Sequence, residues 1–367
     1  MRRRSFVRKT AVGLAGAGLV SGCGPASDGT GGAGVDGLPR VSWRLASSFS
    51  RGLDTIYGAA QVLADRVSGM TGGRFTIRCY PGGELVPALE VLGATQHGTI
   101  HMGHTASYYY VGKNPALAFD TGLPFGLTAR QHNAWLYHGG GLALTRALFS
   151  DFNIVNFPGG NTGAQMGGWF NRPVESEADL AGIRMRIPAV GGEVMARLGV
   201  NVQLIPGGEI YSALDRGAID ATEWVGPYDD EKLGFSKIAD YYYYPGWWEP
   251  SAGLSFYVNK DAWNQLPDYY QQIVTAAAAE ANVLMLASYD AKNPIALHRL
   301  IEGGTDIRPF SEDIMRAAQR ETDRYLNEHA ARDPTYAGLL ASYSDFGDIS
   351  RKWFATAERT YTEYMLR

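Results

Sequence analysis

Short apolar alternations separated by amphipathic stretches run along the chain from Val41 onward. Residues 41–46 and 75–80 alternate as half-buried strands do, and between them positions 55–69 place apolar residues at helical spacing. The same order returns later, with strand-like runs at 183–187 and 201–205 around a helical stretch at 192–198. Two segments also share their letters: PGGELVPALE at 81–90 and PGGEIYSALD at 206–215 agree, by identity or similarity, at eight of ten positions. Each predicts a turn, a helix opened by an acid, a glycine and another strand. The first copy is longer up to its closing glycine, Gly98 against Gly217, and extra helical turns are expected there. One α/β unit present twice, with parallel strands, is the architecture predicted, and ligands in such sheets sit at the carboxyl ends of the strands. Beyond Leu266-Pro267 the pattern turns helical through about Ile301, with Pro294 the one potential kink. Further helices are predicted over 312–328 and 350–366.

Polar groups interrupt this pattern where a core would not want them. Arg186 lies in the run Met185, Arg186, Ile187, Pro188, where alternation points a guanidinium inward, and its rigid fork of donors matches a carboxylate. Glu223, between Thr222 and Trp224, needs a cation or a proton donor once buried. Together they suggest an anionic guest that arrives with a metal ion; a plain buried Arg–Glu pair is the alternative. His97, His101 and His104 fall on a turn and a strand rather than on one helical face, an arrangement ill suited to a zinc site. The run Asp229, Asp230, Glu231, Lys232 reads as solvated charge. The aromatic string from Tyr241 to Trp248 reads as part core and part pocket wall. No HExxH pair, nucleophile elbow or phosphate loop is present in the sequence.

Composition narrows the picture from the ends inward. Arg3 and Arg4 precede an apolar run at 11–20 that is too short to span a bilayer, a twin-arginine export pattern. The run ends in Leu19, Val20, Ser21, Gly22, Cys23, which resembles a lipoprotein cleavage box with Cys23 as the lipid-bearing residue; ordinary cleavage nearby is the alternative. Gly24 to Gly37 is small and polar, a tether. Without residues 1–22, Lys and Arg fall from 33 to 28 against 37 acids, a net charge of −9. That balance argues against nucleic acid as a partner and leaves any bound anion to local groups. The only cysteine besides Cys23 is Cys79, so packing rather than disulfides must stabilise the fold. About 330 residues of this composition exceed what one core commonly supports, and two lobes are expected.

Four blocks then become informative together: QMGGWF at 165–170, RMRIP around Arg186, IDATEWVGPYDDEKLGF at 219–235 and YYYYPGWWEP at 241–250. They resemble the substrate-binding subunits of tripartite ATP-independent periplasmic (TRAP) transporters, most of all the branch that binds 2-oxo monocarboxylates such as pyruvate. The resemblance implies a two-lobe, Venus-flytrap periplasmic binding protein of α/β class, with parallel or mixed sheets and long C-terminal helices. It implies that Arg186 takes the substrate carboxylate and that Gln165, Glu223 and the Trp224 carbonyl hold a hard cation, sodium foremost or calcium, with Glu249 a further ligand. Oxygen donors of this kind suit such ions. Asn161, Thr105, Tyr108 and Tyr109 are the remaining candidates for the substrate, which a 2-oxo or 2-hydroxy acid could satisfy by chelating the ion.

The organisation expected is a signal at 1–22, a tether at 23–37, a first lobe at 38–162 and a second at 163–252. Residues 253–303 then return to the first lobe and form the long helix, and helices at 304–367 brace the lobes or join a second copy in a homodimer. The expected activity is capture and delivery to TRAP membrane subunits, with no turnover. The other reading is an exported enzyme acting on 2-oxo or 2-hydroxy acids, with Glu223 as base and the cation as Lewis acid.

Overall fold

A computed structural model describes residues 37–367 of the chain, so the signal, Cys23 and all but the last residue of the tether lie outside the described residues. Its strands are β1 (Val41–Ser47), β2 (Phe75–Tyr80), β3 (Met102–Thr105), β4 (Ile154–Asn161), β5 (Trp169–Phe170), β6 (Arg184–Arg186), β7 (Asn201–Gln203), β8 (Ala221–Thr222), β9 (Tyr241–Tyr244), β10 (Gly253–Asn259) and β11 (Asp306–Pro309). They form two mixed sheets, one ordered β2-β1-β3-β10-β4 and the other β11-β9-β5-β8-β6-β7.

The repeated sequence unit is a repeated fold. β1 pairs in parallel with β2 and β3, and β6 pairs in parallel with β7 and β8, so each unit has its first strand in the middle. An antiparallel strand then closes each unit, β10 beside β3 and β5 beside β8. The Pro-Gly-Gly turns follow β2 and β7, and their glycines are there for space. A Cβ on Gly82 would lie 2.9 Å from the Ser48 carbonyl oxygen, and one on Gly207 would lie 2.4 Å from the Trp224 ring. The helices after them are Val91–Gln96 and Ile210–Asp215, six residues each. The longer first copy therefore spends its extra residues on loop between Pro81 and Glu90, not on helical turns as its sequence suggested.

The long helix Asp268–Glu302 is continuous through Pro294. Its buried face, Ile273, Val274, Ala277, Ala278, Ala281, Met285 and Tyr289, keeps helical spacing, and the small alanines let the helix Gly58–Met70 and strand β4 approach closely. Gly160 serves that contact, since a Cβ there would meet the Met285 side chain at 2.3 Å. The tail differs from expectation in one respect. After the helix Glu312–Arg332, a second long helix, Pro334–Phe354, begins where none was predicted, capped by Asp333 with Pro334 at its first position. From Pro39 onward the chain packs as one compact unit that contains both sheets.

Candidate functional site

Loops at the carboxyl ends of strands from both sheets converge on one small cavity. Phe49 and Ile56 follow β1, Tyr108 and Tyr109 follow β3, and Thr162 and Gln165 follow β4. Arg186 ends β6, Trp224 and Val225 follow β8, and Ala252 and Leu254 enter β10. The free space at the centre is about 10 Å³, the room of a single water molecule.

Arg186 is held from three sides. Its Nε donates to the Ile205 carbonyl at 3.0 Å and its Nη1 to the Glu223 carbonyl at 3.2 Å, while Nη1 also pairs with the Glu223 side chain. The guanidinium lies 5.3 Å from the centre of the Trp224 ring, over its face. Burial works against its charge, yet Glu223 and the hydroxyls of Tyr109 and Tyr108 hold its pKa above the ordinary value. The plain Arg–Glu pair that the sequence left open is thus present, and it does not satisfy the site.

Two buried carboxylates face this one cation. Glu223 is fully buried, and desolvation, relieved in part by Arg186 and aggravated by Asp230, pushes its pKa up to about 8. Glu249 is raised well above the usual range, first by burial and then by the charge of Glu223, with the Tyr108 hydroxyl 3.4 Å away tempering it. Gln165 sends its amide nitrogen to Thr162 Oγ1 at 3.2 Å. Its Oε1, and Oε2 of Glu223, are buried oxygens without a hydrogen-bond donor. Unsatisfied acceptors beside surplus negative charge fit a hard, oxygen-preferring cation.

The remaining candidates lie at different depths. Tyr108 and Tyr109 line the cavity, edge to face with ring centres 5.0 Å apart. Asn161 is buried at the end of β4, its Oδ1 accepting from the Gly163 N–H at 2.9 Å and its Nδ2 without an acceptor. Thr105 sits outside the cavity lining, its hydroxyl engaged by Ser48 at 2.7 Å and Tyr110 at 3.0 Å. His101 stacks on Trp43, and His104 is buried between Phe49 and Phe256.

One reading is overturned. Asp229 and Asp230 are not solvated but buried, because partners remote in sequence enclose them. Asp230 accepts from Trp169 Nε1 at 3.1 Å and the Tyr242 hydroxyl at 2.6 Å, and Asp229 accepts from the Tyr289 hydroxyl at 2.7 Å. Glu231 alone of the three acids reaches the surface, where it pairs with Arg299. Phe49, Ile56, Thr162, Val225, Ala252 and Leu254 line the cavity without having been singled out, and their apolar or small side chains carry no signal of chemistry.

Two paired α/β units with a cavity between them, apolar over most of its wall and polar at Arg186, Gln165, Thr162 and the two tyrosines, define a two-lobe ligand receptor. The chain belongs to the bacterial extracellular solute-binding proteins, family 7, whose model matches residues 47–333. It is 51% identical to the monocarboxylate 2-oxoacid-binding periplasmic protein of Nostoc sp. strain PCC 7120, over 99% of each chain. Among solved structures, it is similar to a TRAP transporter solute-binding protein of Bordetella bronchiseptica RB50, a mixed-occupancy dimer with copurified calcium and picolinate. That likeness has a TM-score of 0.88 and 48% identity, covering 89% of this chain and 98% of that one. A TRAP solute-binding protein of Pseudoalteromonas atlantica with bound sodium and pyruvate has a TM-score of 0.85 at 39% identity, covering 88% and 99%. The family consists of extracytoplasmic receptors, so the enzymatic alternative is not supported. Among the described residues no helix is long and apolar enough to cross a membrane.

Proposed function

We propose that this chain captures a small 2-oxo monocarboxylate, pyruvate or a close analogue, together with sodium or calcium, and delivers it to the membrane subunits of a TRAP transporter. The observation that carries the site assignment is the pair of donorless buried oxygens, Gln165 Oε1 and Glu223 Oε2, beside a fully buried guanidinium. In this reading Gln165, Glu223, Glu249 and the Trp224 carbonyl hold the cation, and Arg186 takes the substrate carboxylate. The cation offsets the surplus carboxylate charge and polarises the keto group. Tyr108 and Tyr109 cover the guest, the free Nδ2 of Asn161 donates to it, and Thr105 braces Tyr110.

The lobes run over 38–162 and 163–252, with 253–303 returning to the first, β11 of 304–367 joining the second sheet and the helices after it bracing both. Guest and ion bind contacts on both lobes and so favour the closed arrangement, which the membrane partner reads. Export by the twin-arginine signal, with lipid attachment at Cys23, keeps the receptor beside that partner. A homodimer is also proposed, since the tail exposes Ile349, Trp353, Tyr361 and Tyr364.

Calorimetric titration with pyruvate in sodium or calcium buffer tests the site. Arg186→Ala is expected to weaken binding of every carboxylate by at least ~100-fold, the scale of losing one partner of a buried charge pair. Glu223→Gln is expected to weaken it in a cation-dependent way. Unchanged affinity in the arginine variant contradicts the assignment.

A further inference from the structure

A cluster outside the cavity ties the two halves together. Asp54 lies in the loop after β1, between two residues that line the cavity, Phe49 and Ile56. Its carboxylate accepts from the Tyr228 hydroxyl at 3.1 Å and from Lys292 Nζ at 3.2 Å, and it pairs with Lys232. Tyr228 and Lys232 belong to the helix Pro227–Leu233, which directly follows the Glu223–Trp224–Val225 wall of the other half. The Tyr228 ring lies 4.5 Å from Lys232 Nζ and 4.7 Å from Lys292 Nζ. That helix is held independently to the long helix, through Tyr228 N–H to Asn293 Oδ1 at 3.1 Å and the Arg299–Glu231 pair. Asp54 thus sits on the first-sheet loop and faces Lys232 and the Tyr228 hydroxyl of the second half, while Lys292, on the long helix that packs against the first sheet and bonded also to Thr55 at 3.1 Å, holds it from its own side.

We infer that Asp54 is a closure latch: its contacts with Lys232 and Tyr228 hold the Phe49–Ile56 loop against the second half, with Lys292 steadying the carboxylate from its own side, and thereby slow the escape of the guest. The inference rests on the receptor reading above. The latch touches neither guest nor ion. It acts by stabilising the arrangement in which the cavity is shut, so it governs how long a guest stays and not which guest is chosen. Asp54 is 52% and Lys232 33% exposed at the side chain, so each pair is weak alone and sensitive to salt.

Stopped-flow and calorimetric measurement on Asp54→Asn, with pyruvate and calcium, tests the latch. A pyruvate dissociation rate about 2–5-fold faster is expected, the scale that exposed ion pairs supply. The association rate and the preference for pyruvate over 2-oxobutyrate should be unchanged, and the wild type's slower release should fade between 0.05 and 0.5 M salt, about where screening becomes complete. An unchanged dissociation rate, or a loss of ligand-free stability with no kinetic effect, overturns the latch. If the wild type binds no 2-oxo acid, the receptor reading fails instead, and the latch is then judged by small-angle scattering: ligand-free Asp54→Asn must be more extended than ligand-free wild type, and equal profiles overturn it.

Discussion

Glu249 shows how much of this site is decided by single charges. It and Glu223 are buried together against one guanidinium, so the ion-free protein carries more negative charge than it can solvate, and part of the deficit is met by protons. Glu249→Gln is therefore expected to raise the melting temperature of the protein in chelator by about 2–4 °C while weakening its calcium response. Thermal scans with and without the ion measure both effects, and a variant that melts lower in chelator contradicts the charge argument. Arg186 and Glu223 were legible in the sequence because charged residues in an apolar alternation have few structural uses. Asp229 and Asp230 were not, because an acidic run looks solvated until Trp169, Tyr242 and Tyr289 arrive from 12 to 61 residues away.

Elements were legible where punctuation was strong. The Pro-Gly-Gly turns announced both units, and the two sheets repeat the same strand order around them. The helix Pro334–Phe354 had a signal in Asp333-Pro334, a cap followed by a proline at the first position, and the pattern beyond it was read too late in the chain. The loops that line the cavity had no such mark. One of them depends on a glycine: a Cβ on Gly246 would lie 2.6 Å from the Met166 oxygen and 2.8 Å from that of Gln165, whose carbonyl accepts from the Gly246 N–H at 2.9 Å. Gly246→Ala must push the Gln165 segment away. It is expected to lose about 1–3 kcal/mol of stability in urea unfolding and to weaken pyruvate binding, whereas wild-type affinity in the variant would show that the segment yields without cost.

At the scale of the whole molecule, buried titrating groups act in opposite directions on acid stability. His132 is enclosed by Trp135, Tyr343 and Gly253, and burial pushes its pKa down to about 4; His104, likewise buried, is pushed to about 3. The unfolded chain takes up these protons below about pH 6.5 and the folded chain does not, so this contribution to stability is whole above pH 6.5 and is lost as pH falls toward 4. Asp230, raised by burial to about 7, works the other way, since the folded state holds its proton more tightly. Denaturation of His132→Gln at pH 7 and pH 4.5 isolates the first effect. The variant is expected to lose about 2 kcal/mol less than wild type across that interval, and parallel losses contradict a neutral buried imidazole.

The water-sized void between the sheets has a mechanical consequence. At about 10 Å³ it holds a water molecule and not a 2-oxo acid with its ion, so any guest must first displace lining side chains or part the halves before they close around it.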